Sequence, residues 1–347
     1  MPTRDELKMM QALPLSLKVR MTQQRIRDWV REFGEDGVYI SFSGGKDSTV
    51  LLHLVRDLYP GIPAVFVNTG LEYPEIQRFA RSFDNVVTLY PAMPFPDVIS
   101  KYGYPVISKE VSECVYEARR SYERGDTNTS KQRKLRGEKL DNFGNPSGFN
   151  QTKWEPLLRT DFWVSHYCCK VMKKGPAKKY EKITKRAPLI GQLAEESRIR
   201  EAYWLRTGCN AFDATRPQSN PMAFWMGNDV LEYIKVNHLP ICSVYGDIVV
   251  QGDDGFEYDT MIGGGCKYRT TGCDRTGCIF CGFGAHLEKG EGRFERLKRT
   301  HPKQYDYCMG GGAYGEDGIW RPSKEGLGMA HVIDELCRLY GPGFIRY

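Results

Sequence analysis

An α/β protein built on a doubly wound parallel sheet, with a small cysteine-rich metal-binding lobe, is the fold class this sequence predicts. Three observations carry it. Short β-favouring runs alternate with helical stretches from residue 38 onward, the first of these runs opens onto a Gly-Gly turn, and cysteines gather in a glycine-rich stretch late in the chain. Alternation at this spacing lays strands parallel with helices on their faces, and ligands of such sheets sit beyond the carboxyl ends of the strands.

Taken in order, residues 4 to 33 are patterned as helix, with Ile26, Trp29, Val30 and Phe33 on one face before Gly34 and Gly37 break the run. Val38–Phe42 is a short apolar run of the kind buried in parallel sheets, followed by Gly44-Gly45 and a helical stretch from Ser48 to Leu58. A second strand, Ala64–Asn68, leads through Thr69-Gly70 to a helix starting near Pro74, a residue suited to a first helical turn. Val86–Tyr90 is a third strand. Ala187–Gly191 is another core strand, opening onto a charged helix from Glu195 to Arg206, and Asp229–Val236 is a further helix.

Between them, Gly125 to Phe149 is polar and rich in Gly, Asn and Ser, and reads as an insertion or long loop. The cations Arg119, Arg120, Arg124, Lys131, Arg133, Lys134, Arg136 and Lys139 read as a mobile basic segment. The chain thus divides into an N-terminal helical segment (1–35), an α/β domain (36–248) with a basic insertion at about 119–150, and a cysteine-rich lobe with a C-terminal helical region (249–347).

Composition narrows the setting. The 347 residues suffice for a full core, and no window approaches the roughly 18 uninterrupted apolar residues of a membrane helix. With neither a secretory nor a transit-like N-terminus, the expectation is a cytoplasmic protein without a membrane partner. The balance of 49 basic against 43 acidic residues is too even to name a partner. Eleven cysteines in that compartment point to thiols, metal ligands or redox chemistry rather than structural disulfides.

The chemistry starts at Ser43-Gly44-Gly45-Lys46-Asp47-Ser48. A glycine pair between strand and helix lets backbone N–H groups converge on an anion, the helix N-terminus adds positive partial charge, and Lys46 adds a point charge. The Walker loop would need a glycine further upstream and Ser or Thr after the lysine, where Asp47 stands. Asn68 and Gly70, at the end of the second strand, are candidate nucleotide contacts or an ordinary turn. Four thiolates from Cys168-Cys169 and Cys278-x-x-Cys281 suit either an iron–sulfur cluster or tetrahedral zinc. A local set of Cys266, Cys273, Cys278 and Cys281 is the competing choice, but it leaves the vicinal pair unexplained. Cys114, Cys209, Cys242, Cys308 and Cys337 read as small buried residues or incidental thiols, and His166 as a packed or capping group.

The loop resembles the Ser-Gly-Gly-Lys-Asp-Ser signature of the PP-loop adenine-nucleotide alpha hydrolases, and the chain is similar within them to the phosphoadenosine phosphosulfate (PAPS) reductase family. Asn68-Thr69-Gly70, Cys168-Cys169-Lys170, Leu189-Ile190-Gly191-Gln192 with Glu196-Ser197 and Arg200, Asn220-Pro221 with Trp225, and Gly277–Cys281 carry that similarity across about residues 36 to 300. The basic insertion and Tyr245 to Cys273 stand outside the usual pattern. The resemblance implies nucleotide contacts from Ser43, Gly44, Gly45, Lys46, Asp47, Ser48, Asn68, Gly70, Gln192 and Arg200. It also implies a [4Fe–4S] cluster on Cys168, Cys169, Cys278 and Cys281, with zinc as the alternative.

Three functions stay open. The first is ATP cleavage to AMP and pyrophosphate, with Lys46 and Asp47 as catalytic residues and Mg²⁺ on the phosphates, activating a substrate for sulfur transfer. A sulfur donor and a tRNA or DNA acceptor are its expected partners, and an oligomer is compatible with it. The intact loop favours it, because reductases of adenylyl-sulfate compounds usually lack the full form. The second is reduction of adenylyl sulfate or PAPS to sulfite. The two cysteine pairs favour it, but the reductases' Glu-Cys-Gly-Leu-His tail is replaced by Glu335-Leu336-Cys337-Arg338-Leu339. The third is a non-catalytic nucleotide- or nucleic-acid-binding module.

Overall fold

The strands expected at the start of the chain form as Val38–Phe42 (β1), Ala64–Val67 (β2) and Val86–Leu89 (β3) in a computed structural model that describes residues 2–251, 257–258 and 267–347. The chain divides into two units. The first comprises Met1–Asn68, Glu72–Tyr90 and Pro176–Thr276, and the second Thr69–Leu71, Pro91–Gly175 and Gly277–Tyr347.

In the first unit, β1 to β3 join Ala187–Ile190 (β5), Asn210–Ala211 (β6) and Gln218–Ser219 (β7), while Val106–Ile107 (β4) belongs to the second unit. The six-stranded sheet runs β3-β2-β1-β5-β7-β6, parallel except for the β6–β7 pair at its edge. Ile40 of β1 lies between Ala64 and Leu189, all three fully buried, as the apolar run of a central parallel strand requires. Arg4–Gln11 (α1), Leu15–Phe33 (α2), Lys46–Leu58 (α3) and Pro74–Arg81 (α4) complete the expected alternation, with Pro74 in the first turn of α4. On α2, Ile26 and Trp29 are fully buried, and Thr22 accepts from Trp225 Nε1 at 2.8 Å while donating to Pro221 O.

Two expectations need correction in this unit. The helix expected from Glu195 to Arg206 is a 3₁₀ turn, Ala194–Glu196, followed by a separate helix, Arg198–Thr207. Ser197 divides them: its backbone is extended and its hydroxyl accepts from Arg200 N, so it is an N-cap. The other is a three-stranded antiparallel sheet that the sequence reading lacked, Ile248–Gln251 (β8), Glu257–Tyr258 (β9) and Lys267–Thr270 (β10), in the order β10-β8-β9.

The second unit contains Phe95–Tyr102 (α5), Lys109–Glu123 (α6), Ser130–Arg136 (α7) and the helix Met329–Tyr340, and Tyr104, Phe162, Phe294, Leu297 and Leu336 are among its buried residues. Here the mobile basic segment is overturned. Arg119 and Arg120 belong to α6, and the polar stretch after it contains α7, opened by a Thr129–Gln132 capping box and anchored by fully buried Leu135. Lys131 pairs with Glu113 at 2.7 Å, Lys134 with Glu110 at 2.6 Å and Arg136 with Glu138, while Arg119 donates to Phe162 O. No described helix is long and apolar enough to cross a membrane.

Candidate functional site

In the first unit the loop follows β1 where the strand order reverses between β1 and β5, the place in open α/β sheets at which ligands bind. Gly44 takes φ +71°, a left-handed conformation that favours glycine. Lys46 and Asp47 occupy the first turn of α3, with the Lys46 ammonium 3.4 Å from both carboxylate oxygens of Asp47. Ser48 is buried and holds the turn together: its hydroxyl donates to Gly45 O at 2.8 Å and accepts from Ser43 N at 3.2 Å. Gly45 N donates to Ser43 Oγ, and Thr49 Oγ1 donates to Gly45 O. At the end of β5, a Cβ on Gly191 would stand 3.0 Å from Asp47 O, so this glycine lets the strand end approach the loop backbone.

The Lys46 amide donates to the Tyr245 hydroxyl at 3.1 Å, and that hydroxyl also lies 2.7 Å from Thr276 Oγ1. Neither residue was legible from the sequence, because Tyr245 is 199 positions from Lys46. Of the other expected nucleotide contacts, Asn68 is buried just beyond β2 and its amide donates to Leu89 O. Gln192 is half-buried beyond β5. Arg200 is ion-paired with Glu196, which also pairs with Arg275. Burial, then Arg275, lowers the Arg200 pKa against the opposing charge of Asp47. Gly70 falls in the second unit, exposed, with φ +73°.

The four cysteines of the expected ligand set also lie in the second unit and line one cavity of about 20 Å³ with Phe95, Met172 and Lys173. Cys168 and Cys169 sit in a short helical turn, Tyr167–Cys169, that runs into a π-helical turn, Lys170–Lys174. Such wide turns recur at functional sites. Their sulfurs are 4.0 Å apart and share a hydrogen bond that pushes the Cys168 thiol up and the Cys169 thiol down, with Lys109 and Lys173 adding to the lowering at Cys169. Burial raises the Cys281 thiol, against Arg293 and Lys109.

The Cys278–Cys281 turn is fixed by its backbone. Ile279 N donates to Leu71 O at 2.8 Å, Cys281 N to Cys278 O, and Arg293 Nη1 to Cys281 O at 2.7 Å. Next to it, Gly282–Phe283 (β11) pairs in parallel with β4, and a Cβ on Gly282 would stand 2.8 Å from Pro105 O. Four thiols facing one cavity, ringed by Lys109, Lys173 and Arg293, are a donor set whose chemistry fits an iron–sulfur cluster or zinc. They do not stand preassembled: among the described residues, no three His, Cys, Asp or Glu side chains meet at the spacing of a bound ion.

Of the competing ligands, Cys266 lies outside the described residues, and Cys273 is buried in the first unit. Cys114, Cys209, Cys242 and Cys308 are buried, as expected of incidental thiols. Cys337 is half-buried in the helix Met329–Tyr340, with its thiol donating to Ile345 O at 3.6 Å. His166 packs on Tyr167 and burial lowers its pKa.

The model of the phosphoadenosine phosphosulfate reductase domain matches residues 37–98 and 108–281, running through both stretches that stood outside the expected pattern. Among curated proteins, a phosphoadenosine 5′-phosphosulfate reductase of Xylella fastidiosa is 36% identical over 80 residues, 23% of this chain and 32% of that protein. One from Xanthomonas campestris is 32% identical over 88 residues, 25% of this chain and 35% of that protein. The matched segments thus span about a third of the length of these relatives. Among solved structures, the phosphate complex of a PAPS reductase from Candida auris aligns with 70% of this chain and 91% of its own, at 14% identity and a TM-score of 0.37. Because the domain model covers well over half of its length, this chain belongs to the PAPS reductase family.

Proposed function

We propose that this chain is a nucleotide-dependent enzyme of sulfur metabolism that binds the phosphates of an adenine nucleotide at Ser43–Ser48. The observation carrying this is the loop: a left-handed glycine, a first helical turn with Lys46, and backbone amides at the reversal of strand order. Lys46 would stabilise the negative charge that builds on the nucleotide phosphates, the kind of electrostatic stabilisation that in such sites supplies the largest share of catalysis.

For the reaction, the names of the relatives favour reduction of adenylyl sulfate or PAPS over the ATP-cleaving reading. A thiolate attacks the sulfate sulfur, the sulfur–oxygen bond to the nucleotide breaks, and the adenosine phosphate leaves. A second thiol of a dithiol such as thioredoxin then displaces sulfite, and the two thiols end as a disulfide. Cys168, Cys169, Cys278 and Cys281 would hold a [4Fe–4S] cluster or zinc, which would tie the two cysteine segments together and, as a cluster, supply a site for one electron.

A second reading is favoured by two observations: Lys46 and Asp47 stand together in the loop, and Cys337 lies within a helix with its thiol engaged. It is cleavage of ATP, bound with Mg²⁺, to AMP and pyrophosphate for sulfur transfer to an acceptor such as tRNA or DNA. One experiment separates them. Anaerobically purified protein is assayed for sulfite from adenylyl sulfate or PAPS with thioredoxin, and for pyrophosphate from ATP with and without RNA or DNA. Sulfite release supports reduction and pyrophosphate release the second reading. Lys46→Ala is expected to abolish whichever occurs, and turnover that survives it removes the loop from the mechanism.

A further inference from the structure

Tyr245 ends a 3₁₀ turn, Ser243–Tyr245, that lies outside the phosphate loop, and its side chain is almost wholly buried against that loop. Its position is set by backbone bonds on both sides: Tyr245 N donates to Cys242 O, Gly272 N to Tyr245 O and Cys273 N to Val244 O, the latter two at 2.8 Å. The phenol oxygen accepts from Lys46 N at 3.1 Å and lies 2.7 Å from Thr276 Oγ1. A Cβ placed on Gly45 would meet that same oxygen at 3.3 Å, so the hydroxyl rests on the Gly-Gly turn. The amide it engages is a first-turn donor of α3, one of the groups through which a helix N-terminus holds an anion.

We propose that Tyr245 is a latch on the phosphate loop: its hydroxyl takes the acceptor position on the Lys46 amide that a phosphate oxygen needs, so binding of phosphate requires that contact to break. This rests on the reading of Ser43–Ser48 as the phosphate site. Burial pushes the phenol up to about 12, so the hydroxyl is a neutral acceptor at physiological pH. A charged phosphate oxygen makes roughly twice as strong a hydrogen bond and displaces it. A ligand without phosphate gains nothing at this amide. Tyr245, anchored by Thr276, is therefore a positioning residue that lowers affinity for every phosphate ligand by the worth of one neutral hydrogen bond, about fivefold, and makes displacement depend on charge.

The test is calorimetric titration of the full chain with inorganic pyrophosphate and, separately, with adenosine. Tyr245→Phe removes only the hydroxyl and is expected to tighten pyrophosphate binding about fivefold while leaving adenosine unchanged. Thr276→Val, which frees the phenol from its anchor, is expected to shift pyrophosphate in the same direction, and thermal midpoints of both variants verify folding. Unchanged or weaker pyrophosphate binding by folded Tyr245→Phe overturns the latch, as does an equal gain for adenosine. Lys46→Ala distinguishes the two levels. Pyrophosphate binding that survives it overturns the loop reading and the latch with it, whereas binding lost in Lys46→Ala but unmoved in Tyr245→Phe overturns the latch alone.

Discussion

At Gly44 the positive φ is combined with close packing: a Cβ there would stand 3.0 Å from Ile76 Cγ2 and 3.2 Å from Ile76 O. Gly44→Ala is expected to cost about 1–3 kcal/mol of stability, since the side chain meets both a strained backbone and a fixed carbonyl. Urea denaturation measures it, and a loss below about 0.5 kcal/mol would show that the turn rearranges freely. Gly191 differs, because its φ is not in the left-handed region and only crowding opposes a side chain. Its Cβ would stand 3.0 Å from Asp47 O and 3.3 Å from Ser48 Cα. Gly191→Ala is therefore expected to displace the loop, weakening pyrophosphate binding several-fold with a smaller effect on the denaturation midpoint. Gly44, Lys46 and Asp47 were legible because six consecutive residues carry the anion-binding pattern, and Gly191 only as part of the Leu189–Gln192 similarity. Tyr245 and Thr276 were not, because no local spacing announces a hydroxyl that reaches a loop from a distant segment.

At the scale of elements, β1, β2, β3 and β5 were legible because each is a short, mostly apolar run bounded by turn residues, and Pro74 marked the start of α4. α7 was missed for a physical reason. It has seven residues, and its hold on the core is Leu135 and the buried Gln132, whose amide donates to Asp126 O at 2.5 Å. Its cations Lys131, Lys134 and Arg136 are spent on ion pairs rather than on solvent alone, so its composition imitates a loop. Thr129→Ala removes the cap and is expected to cost about 1 kcal/mol, read as faster amide exchange across Ser130–Arg136; unaltered exchange would mean the ion pairs hold the helix without it. The Lys131–Glu113 bridge to α6 also gives a pH signature. The hydrogen bond from Lys131 holds the Glu113 carboxyl below its ordinary 4.5, so its stabilisation is complete above that value and is lost as pH falls through the lower, folded-state one. Both side chains are more than a third exposed, so the effect is small and salt-sensitive. Glu113→Gln is expected to flatten the acid limb of the α6–α7 exchange profile, and an acid limb identical to the parent would assign it to other carboxylates.

Across the whole molecule, each unit is assembled from segments far apart in sequence, which a reading in chain order has no means of joining. The cysteine pairs show the consequence. Cys168-Cys169 and Cys278–Cys281 are separated by more than a hundred residues, yet line one cavity of the second unit, where Lys109 and Lys173 favour the charged form of Cys169 and Lys109 and Arg293 that of Cys281. A bound cluster or zinc would cross-link the turn at residues 167–174 to the one at 277–284 and oppose their separation on unfolding, because metal affinity for an assembled site is folding free energy. Removing the metal anaerobically with a chelator, or replacing Cys278 by Ser, is therefore expected to raise amide exchange at both turns and at the β4–β11 pair, with loss of bound iron or zinc in proportion. Exchange at β1, β2 and β5 of the first unit serves as the internal reference. Metal retained in full by both Cys278→Ser and Cys168→Ala would exclude this ligand set, whereas loss of metal with exchange at 167–174 and 277–284 unmoved would leave the ligands correct but the site without weight in the stability of the unit.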